Sequence, residues 1–244
     1  TSPFAFTGNK FELRAVGSSA NCALPMTVLN TIIAEQLQLF KVSVDARIKK
    51  GNSKDEAILK ELQVLITQSK AIRFEGNGYG EEWVKEAKKR GLSNLTNTPE
   101  ALSVWGRKEV IDLFDKMKVL HPAELAARQD VEYEKYVMHR KIEANVAIDM
   151  ARNTILPAAI SYQNFLLENI VGLEEVFGKE GKSMTTAQRD ILKRTSALVN
   201  ELYASIKRLR ENKEKVNARK TTAKIADGYG NIIFPITEEL GEIC

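Results

Sequence analysis

Residues 122–157, PAELAARQDVEYEKYVMHRKIEANVAIDMARNTILP, decide the fold of this 244-residue chain. Pro122 suits the first turn of a helix, because the N–H group that proline lacks would have no partner there. No glycine or proline follows until Pro157, so the stretch predicts one helix about 50 Å long at roughly 1.5 Å per residue. Pro157 should kink this helix, and the apolar pattern resumes after it as far as Gly178.

Similar signals mark helices on both sides of this stretch. An apolar pattern with helical spacing ends at Gly51, which is expected to cap that helix. Ser53 with Glu56 predicts a capping box for the next helix, and Thr185 with Gln188 predicts the same for a later one. Long helices with short polar joints predict a mainly α fold, an antiparallel helical bundle.

Two short stretches are predicted to be non-helical. Residues 76–80, Gly-Asn-Gly-Tyr-Gly, are interpreted as a connector, because a phosphate-binding loop would need a preceding strand and a Lys-Ser/Thr ending. Residues 227–231, Asp-Gly-Tyr-Gly-Asn, predict a turn. The apolar residues 232–234 that follow predict a short extended segment.

Composition limits the class of protein. Apolar residues make up 43% of the chain, and no apolar run approaches the roughly 18 residues of a membrane span. Cys22 and Cys244 lie far apart in the sequence and do not suggest a disulfide framework, which favours a reducing compartment. We interpret Cys22 as a structural residue. These features predict a cytoplasmic protein without a membrane partner.

The basic and ionisable groups give little support for a nucleic-acid or histidine-centred site. The net charge is +4, but the basic residues of 207–220 alternate with glutamates, a pattern typical of a solvated helix face with ion pairs. No nucleic-acid partner is therefore expected. His121 and His139 are interpreted as surface residues, since neither has a second ligand at metal-binding spacing; a carboxylate–histidine pair with a nearby acidic residue is the alternative.

The chemically informative segment is Asn9–Arg14, Asn-Lys-Phe-Glu-Leu-Arg. In an extended strand, Lys10, Glu12 and Arg14 share one face and the two apolar residues between them share the other. Such a face can hold a divalent metal through the carboxylate and phosphate groups through the cations. An edge strand with a solvated polar face is the simpler interpretation of the same alternation.

The residues around this segment resemble a known family. Thr1–Arg14, TSPFAFTGNKFELR, resembles the last catalytic strand of glutamine synthetases, and Gly17–Pro25, GSSANCALP, resembles the loop and helix start that follow it. The usual family core is Arg-Ile-Glu-x-Arg, whereas Lys10 here offers a point charge in place of a planar fork. Later segments such as NGYGEEWVKEA at 77–87 resemble the type III branch of the family.

The resemblance implies roles for three residues. Glu12 would bind a catalytic metal, Arg14 would contact glutamate and the transferred phosphate, and Lys10 would lie near the nucleotide phosphates. The implied enzyme is an ATP-dependent ligase that forms glutamine from glutamate and ammonia through a phosphorylated carboxyl intermediate. Its cofactors would be ATP and Mg²⁺ or Mn²⁺, and its partners the other subunits of a homo-oligomer.

The same resemblance implies a division of the chain. Residues 1–50 would be the carboxy-terminal end of a truncated α+β catalytic domain, contributing one short amino-terminal strand, and residues 51–244 would be a type III-specific helical region for assembly. We expect the chain to be part of a longer polypeptide and inactive alone. The alternative is a non-catalytic helical module that binds a protein partner, but this leaves residues 1–25 unexplained.

Overall fold

The computed structural model describes residues 4–13, 17, 19–74 and 76–244, and in them the protein is mainly α. A pair of short strands comes first, β1 (Phe4–Phe6) and β2 (Phe11–Leu13). The helices are α1 (Ala23–Lys49), α2 (Lys54–Gln68), α3 (Glu81–Lys89), α4 (Thr98–Ser103), α5 (Lys108–Lys116), α6 (Pro122–Met150), α7 (Leu156–Phe177), α8 (Lys179–Met184), α9 (Thr186–Asn217), α10 (Thr222–Gly228) and α11 (Phe234–Ile243). The predicted fold class is therefore confirmed, with the difference that the predicted strand has a partner.

The chain forms two compact units and passes between them at three points, after residues 76, 111 and 120, the second of which falls within α5. The first unit contains the strands, α1, α2 and residues 112–120. Gly51 joins α1 to α2 with a φ of +98°, and its N–H donates to the Ile48 carbonyl at 2.9 Å. Ser53 Oγ then accepts from the Glu56 N–H at 3.3 Å, as the capping pattern predicts.

The second unit contains residues 77–111 and 121–244, and its core lies among the long helices. Helix α9 packs against α7 and α11, while α6 packs against α4, α10 and α11. The buried cluster is built from apolar side chains of these elements: Ala144, Ala151, Leu202, Ile206, Leu209, Val216, Tyr229, Ile233 and Leu240. Exclusion of these side chains from water is the main force that holds the helices together.

Two π-helical turns allow the chain to pass a proline without leaving the helix. The turn Ala151–Ile155 joins α6 to α7, and Pro157 is the second residue of α7. A proline lacks an N–H and crowds the carbonyl four residues earlier, and the wider π turn removes this conflict. The long helix therefore continues through Pro157, with the predicted disturbance located in the five residues before it.

The second π turn corrects the prediction for residues 227–234. Tyr229–Ile233 forms this turn between α10 and α11, so the segment is helical and contains neither the expected turn nor the extended piece. Tyr229 is fully buried and its hydroxyl donates to Asn217 Oδ1 at 3.0 Å. Burial of this apolar and aromatic face outweighs the local preference of its glycines and Asp227 for a turn.

The cap predicted for α9 is also wrong. Thr185 precedes α9, but its hydroxyl makes no capping bond to the helix. The residue is fully buried, and its hydroxyl bonds the Glu174 carboxylate at 3.2 Å and the Lys182 carbonyl at 3.3 Å. Glu174 also pairs with Arg189, which lowers the pKa of the Glu174 carboxyl through that hydrogen bond.

Among the described helices, none combines the length and apolar character that crossing a membrane would require.

Candidate functional site

The segment with the predicted chemistry is the second strand of a β-hairpin. β1 and β2 are antiparallel, and Ala5 is directly opposite Glu12. The hairpin turns at Gly8, whose φ of +97° is readily available only to glycine. The Thr7 N–H donates to the Lys10 carbonyl at 2.9 Å and closes the turn. This short turn fixes the register, and thereby decides which side chains share a face.

The structure brings two of the three predicted site residues together. Lys10 Nζ lies 3.6 Å from Glu12 Oε1, as the two-residue period of a strand predicts. The Glu12 side chain is 37% exposed and that of Lys10 is 66% exposed. Both groups can therefore reach a ligand from solvent. Arg14, the third predicted residue, lies outside the described residues.

The described part of the chain places no three His, Cys, Asp or Glu side chains where together they could hold a metal ion. Glu12 offers one carboxylate. Oxygen from a carboxylate is a suitable ligand for Mg²⁺ or Mn²⁺, and both ions need about six ligands, some of them water or substrate oxygens. The geometry is therefore compatible with Glu12 as a single protein ligand of a larger metal site.

The apolar side of the hairpin borders an open groove. Phe11 is 61% exposed and Leu13 is 45% exposed. With Met26, Leu29 and Ile33 of α1 they line a groove of about 470 Å³. Large apolar surfaces of this kind usually mark a site where another element of protein packs.

Within the described residues, the two histidines and Cys22 singled out in the sequence, and Tyr133 of α6, belong to no cluster of metal ligands. His121 and His139 are exposed, and the His121 N–H donates to the Glu124 carboxylate at 2.8 Å at the start of α6. Tyr133 is buried and donates to the Pro99 carbonyl at 3.4 Å, so it serves packing. Cys22 is an exposed free thiol just before α1.

Basic residues form ion pairs on helix surfaces, both at 85–90 and in the 207–220 segment, where their alternation with glutamate predicts such pairs. Arg90 Nε lies 2.7 Å from Glu86 Oε1, and this hydrogen bond lowers the pKa of the Glu86 carboxyl. Lys207 Nζ lies 3.9 Å from Glu211 Oε1 one turn along α9. Surface pairs of this type contribute little to stability.

Sequence reasoning missed one arrangement of charged groups. Arg152, in the π turn before α7, and Arg210, on α9, line a common cleft in the second unit. The spacing of Tyr203, Lys207 and Arg210 along α9 could have indicated a shared face. Nothing in the sequence indicates that Arg152 joins them, because that depends on how the helices pack.

Comparisons with known proteins identify the family. The model of the glutamine synthetase C-terminal domain matches residues 57–174. A glutamine synthetase from Bacteroides fragilis (strain YCH46) is 42% identical over 241 residues, which is 98% of this chain and 33% of that protein. A Type-3 glutamine synthetase from Dictyostelium discoideum is 42% identical over 170 residues, which is 70% of this chain and 23% of that protein.

A more distant relative agrees. A glutamine synthetase from Butyrivibrio fibrisolvens is 29% identical over 243 residues, covering 98% of this chain and 33% of that protein. The chain thus spans a third or less of the length of the curated relatives it matches. The resemblance inferred from the catalytic-strand and type III segments is confirmed, and the chain belongs to the glutamine synthetase family.

Proposed function

We propose that this chain is the carboxy-terminal part of a type III glutamine synthetase, an ATP-dependent ligase that forms glutamine from glutamate and ammonia. The observation that carries the proposal is the 42% identity to a glutamine synthetase across 241 of the 244 residues. That similarity includes the first 25 residues or nearly all of them, which a helical module with no catalytic role would leave unexplained.

In the proposed reaction, the glutamate carboxyl group is phosphorylated, and ammonia then displaces the phosphate. The full-length enzyme would use ATP with Mg²⁺ or Mn²⁺, and the metal would supply positive charge to the phosphoryl oxygens. Glu12 is our candidate for one metal ligand. Arg14 is our candidate for the group that stabilises negative charge on the phosphoryl or carboxyl oxygens.

The geometry of Lys10 and Glu12 supports a role at phosphate. Because Lys10 Nζ is only 3.6 Å from Glu12, a divalent cation on Glu12 would lie close to the ammonium group and be repelled by it. Phosphate oxygens in contact with both cations would offset that repulsion. The pair is therefore better suited to a metal–phosphate complex than to a metal ion alone, which agrees with a nucleotide-phosphate role for Lys10.

The apolar groove supports the proposal that further protein covers the hairpin. In the described residues, Phe11 and Leu13 remain largely exposed on the side opposite Glu12. A catalytic strand in a larger sheet would bury this side against the rest of its domain. We therefore assign residues 1–50 to the end of the catalytic domain and residues 51–244 to a helical region that serves assembly of a cytoplasmic homo-oligomer.

Glutamine formation by the full-length polypeptide tests the proposal. The assay compares the wild type with Glu12→Ala and with Glu134→Ala, a control that removes an exposed carboxylate from α6. We expect Glu12→Ala to lose at least about 100-fold in activity, as for loss of a metal ligand or its support, while Glu134→Ala stays near wild type. Light scattering should show that both variants assemble normally.

Two results would contradict the proposal. A wild-type polypeptide that forms no glutamine from ATP, glutamate and ammonia would remove the proposed activity. Near-normal activity of Glu12→Ala would remove Glu12 from the site. The 244-residue chain alone is expected to form no glutamine, because one carboxylate and two cations cannot bind the metals and both substrates, so activity of this chain would also contradict the account.

A further inference from the structure

The second unit contains a cleft of about 400 Å³ far along the chain from the hairpin. It lies between the π turn Ala151–Ile155, the start of α7 and one face of α9. Tyr203, Lys207, Arg210 and Glu214 are spaced by three or four residues along α9, so they share that face. A volume of this size matches a site for a small molecule.

The floor of the cleft is apolar, and its mouth carries an aromatic ring. Ile206 belongs to the buried core and is only 5% exposed, and Leu156 packs against the same core. Tyr203 lines the cleft and is 63% exposed, so its ring is available to a ligand from solvent. A ligand with an apolar or aromatic body would find contact on two sides.

The charged groups favour an anion over a cation. Arg152, Lys207 and Arg210 line the cleft, and they are opposed there by Glu211 and Glu214. Among the described residues, the only ion pair between these two sets is the loose one of Lys207 and Glu211, with 3.9 Å between Nζ and Oε1. Within the described residues, neither arginine forms an ion pair with a carboxylate. By contrast Arg208, on the opposite side of α9, pairs with Glu239.

Lys213 lies three residues after Arg210 on α9, and its surroundings are basic. Burial lowers the pKa of the Lys213 ammonium, and so do the neighbouring charges of Lys141 and Arg210, which outweigh the opposing effect of Glu214. Its hydrogen-bond acceptor is the neutral amide oxygen of Asn145, not a carboxylate. The cleft itself is lined by three cations and two carboxylates, a net charge of +1, so positive charge remains for an incoming anion.

We propose that this cleft binds a small organic anion, whose phosphate or carboxylate group contacts Arg152 and Arg210 and whose apolar body lies on Leu156 and Ile206. Guanidinium groups suit both anions because their planar N–H donors match paired oxygens. The site shares no described residue with the hairpin. The proposal is therefore a ligand site of the second unit, built from residues that the proposed chemistry does not use.

Binding of model anions to the 244-residue chain tests the proposal by isothermal titration calorimetry. Phenyl phosphate and benzoate present the two anionic groups on the same ring, inorganic phosphate lacks the ring, and benzyl alcohol lacks the charge. We expect at least one of the two aromatic anions to bind more tightly than inorganic phosphate and benzyl alcohol. Tighter binding of phenyl phosphate identifies a phosphate ligand, and tighter binding of benzoate identifies a carboxylate ligand.

Variants locate the binding. Arg210→Gln is expected to weaken the preferred anion by about tenfold, the usual effect of losing a charge-assisted hydrogen bond. Arg208→Gln, a matched control on the same helix, should leave the affinity unchanged. Because Arg210→Gln could disturb α9, Tyr203→Ala at the exposed mouth is measured in parallel and should weaken the aromatic anions while leaving inorganic phosphate unaffected.

Several results would overturn the proposal. The first is that neither aromatic anion binds at about 10 mM, which we take as the weak limit of a specific site. The second is that benzyl alcohol binds as tightly as the aromatic anions. The third is that folded Arg210→Gln and Tyr203→Ala bind the preferred anion with unchanged affinity. Far-ultraviolet circular dichroism of each variant confirms folding before titration. None of these results depends on glutamine formation, so the proposed activity and this site can fail separately.

Discussion

Replacement of Tyr229 by alanine should strongly destabilise the second unit. Tyr229 is fully buried in the core cluster, and its hydroxyl donates to Asn217 Oδ1 at 3.0 Å. Loss of a buried aromatic ring costs about 3–5 kcal/mol, of which loss of the hydrogen bond contributes about 1 kcal/mol. For a domain of this size, the midpoint of thermal unfolding should fall by about 6–20 °C.

Two further variants separate the contributions. Tyr229→Phe keeps the ring and removes only the hydroxyl, so it should cost about 1 kcal/mol. Tyr79→Ala is the matched control, because Tyr79 is 94% exposed and its loss should change stability by less than about 0.5 kcal/mol. Unfolding is followed by circular dichroism at 222 nm during heating and in urea.

The result also distinguishes the two descriptions of residues 227–234. If these residues formed the exposed turn that their glycines suggest, Tyr229→Ala would behave like Tyr79→Ala. A change below about 0.5 kcal/mol for both variants would refute the π turn and the buried position of Tyr229. A large loss for Tyr229→Ala alone supports them.

Three further predictions concern pH, close packing and ion pairing. Burial raises the pKa of the Tyr229 phenol above its usual value of 10.0. The stability that the neutral phenol supports is therefore complete below pH 10 and is lost as the pH rises above that value. Tyr229→Phe should lose less of its free energy of unfolding at alkaline pH, as measured by urea titrations. Gly181→Ala should destabilise the protein by about 1–3 kcal/mol, because the new Cβ would lie 2.5 Å from a carbonyl oxygen of α7. Gly172→Ala, where the space is open, should stabilise it by up to about 1 kcal/mol. Both changes are measured by thermal unfolding. Glu61→Ala should cost about 1–3 kcal/mol in urea unfolding, because it removes the acceptor 2.9 Å from Arg47 Nε at a side chain that is only 11% exposed, and a loss below about 0.5 kcal/mol would contradict that role.

Local signals in the sequence predicted the helices well where a residue acts through its own backbone. Gly51 ends α1 because it adopts a positive φ, and Ser53 begins α2 because its hydroxyl accepts a backbone N–H. Both effects depend on a few neighbouring residues. Pro122 likewise begins α6 in the structure, as its missing N–H group predicts.

The predictions that failed depend on burial, which the sequence shows only indirectly. The turn residues around Tyr229 are helical because the packed core holds them, and Thr185 bonds Glu174 from another helix instead of capping its own. Tertiary contacts decided both cases. The short range of the sequence signals therefore explains which elements were predicted and which were wrong.

At the candidate site, too, local features could be predicted from the sequence and features that depend on packing could not. The period of a strand was enough to predict that Lys10 and Glu12 share a face, and they lie 3.6 Å apart. The functional roles of these residues and of Arg14 came from resemblance to the family. The cleft with Arg152 and Arg210 needed the packed structure, because these arginines are 58 positions apart along the chain.

Binding of Mn²⁺ to the full-length polypeptide, measured by electron paramagnetic resonance in the wild type and in Glu12→Gln, tests the central claim most directly. Glutamine keeps the size of the side chain and removes the charge that a metal needs. The account predicts that one class of Mn²⁺ site weakens by at least about tenfold, equivalent to about 1.4 kcal/mol, while light scattering shows unchanged assembly. Equal Mn²⁺ affinity and stoichiometry in the two proteins would contradict Glu12 as a metal ligand.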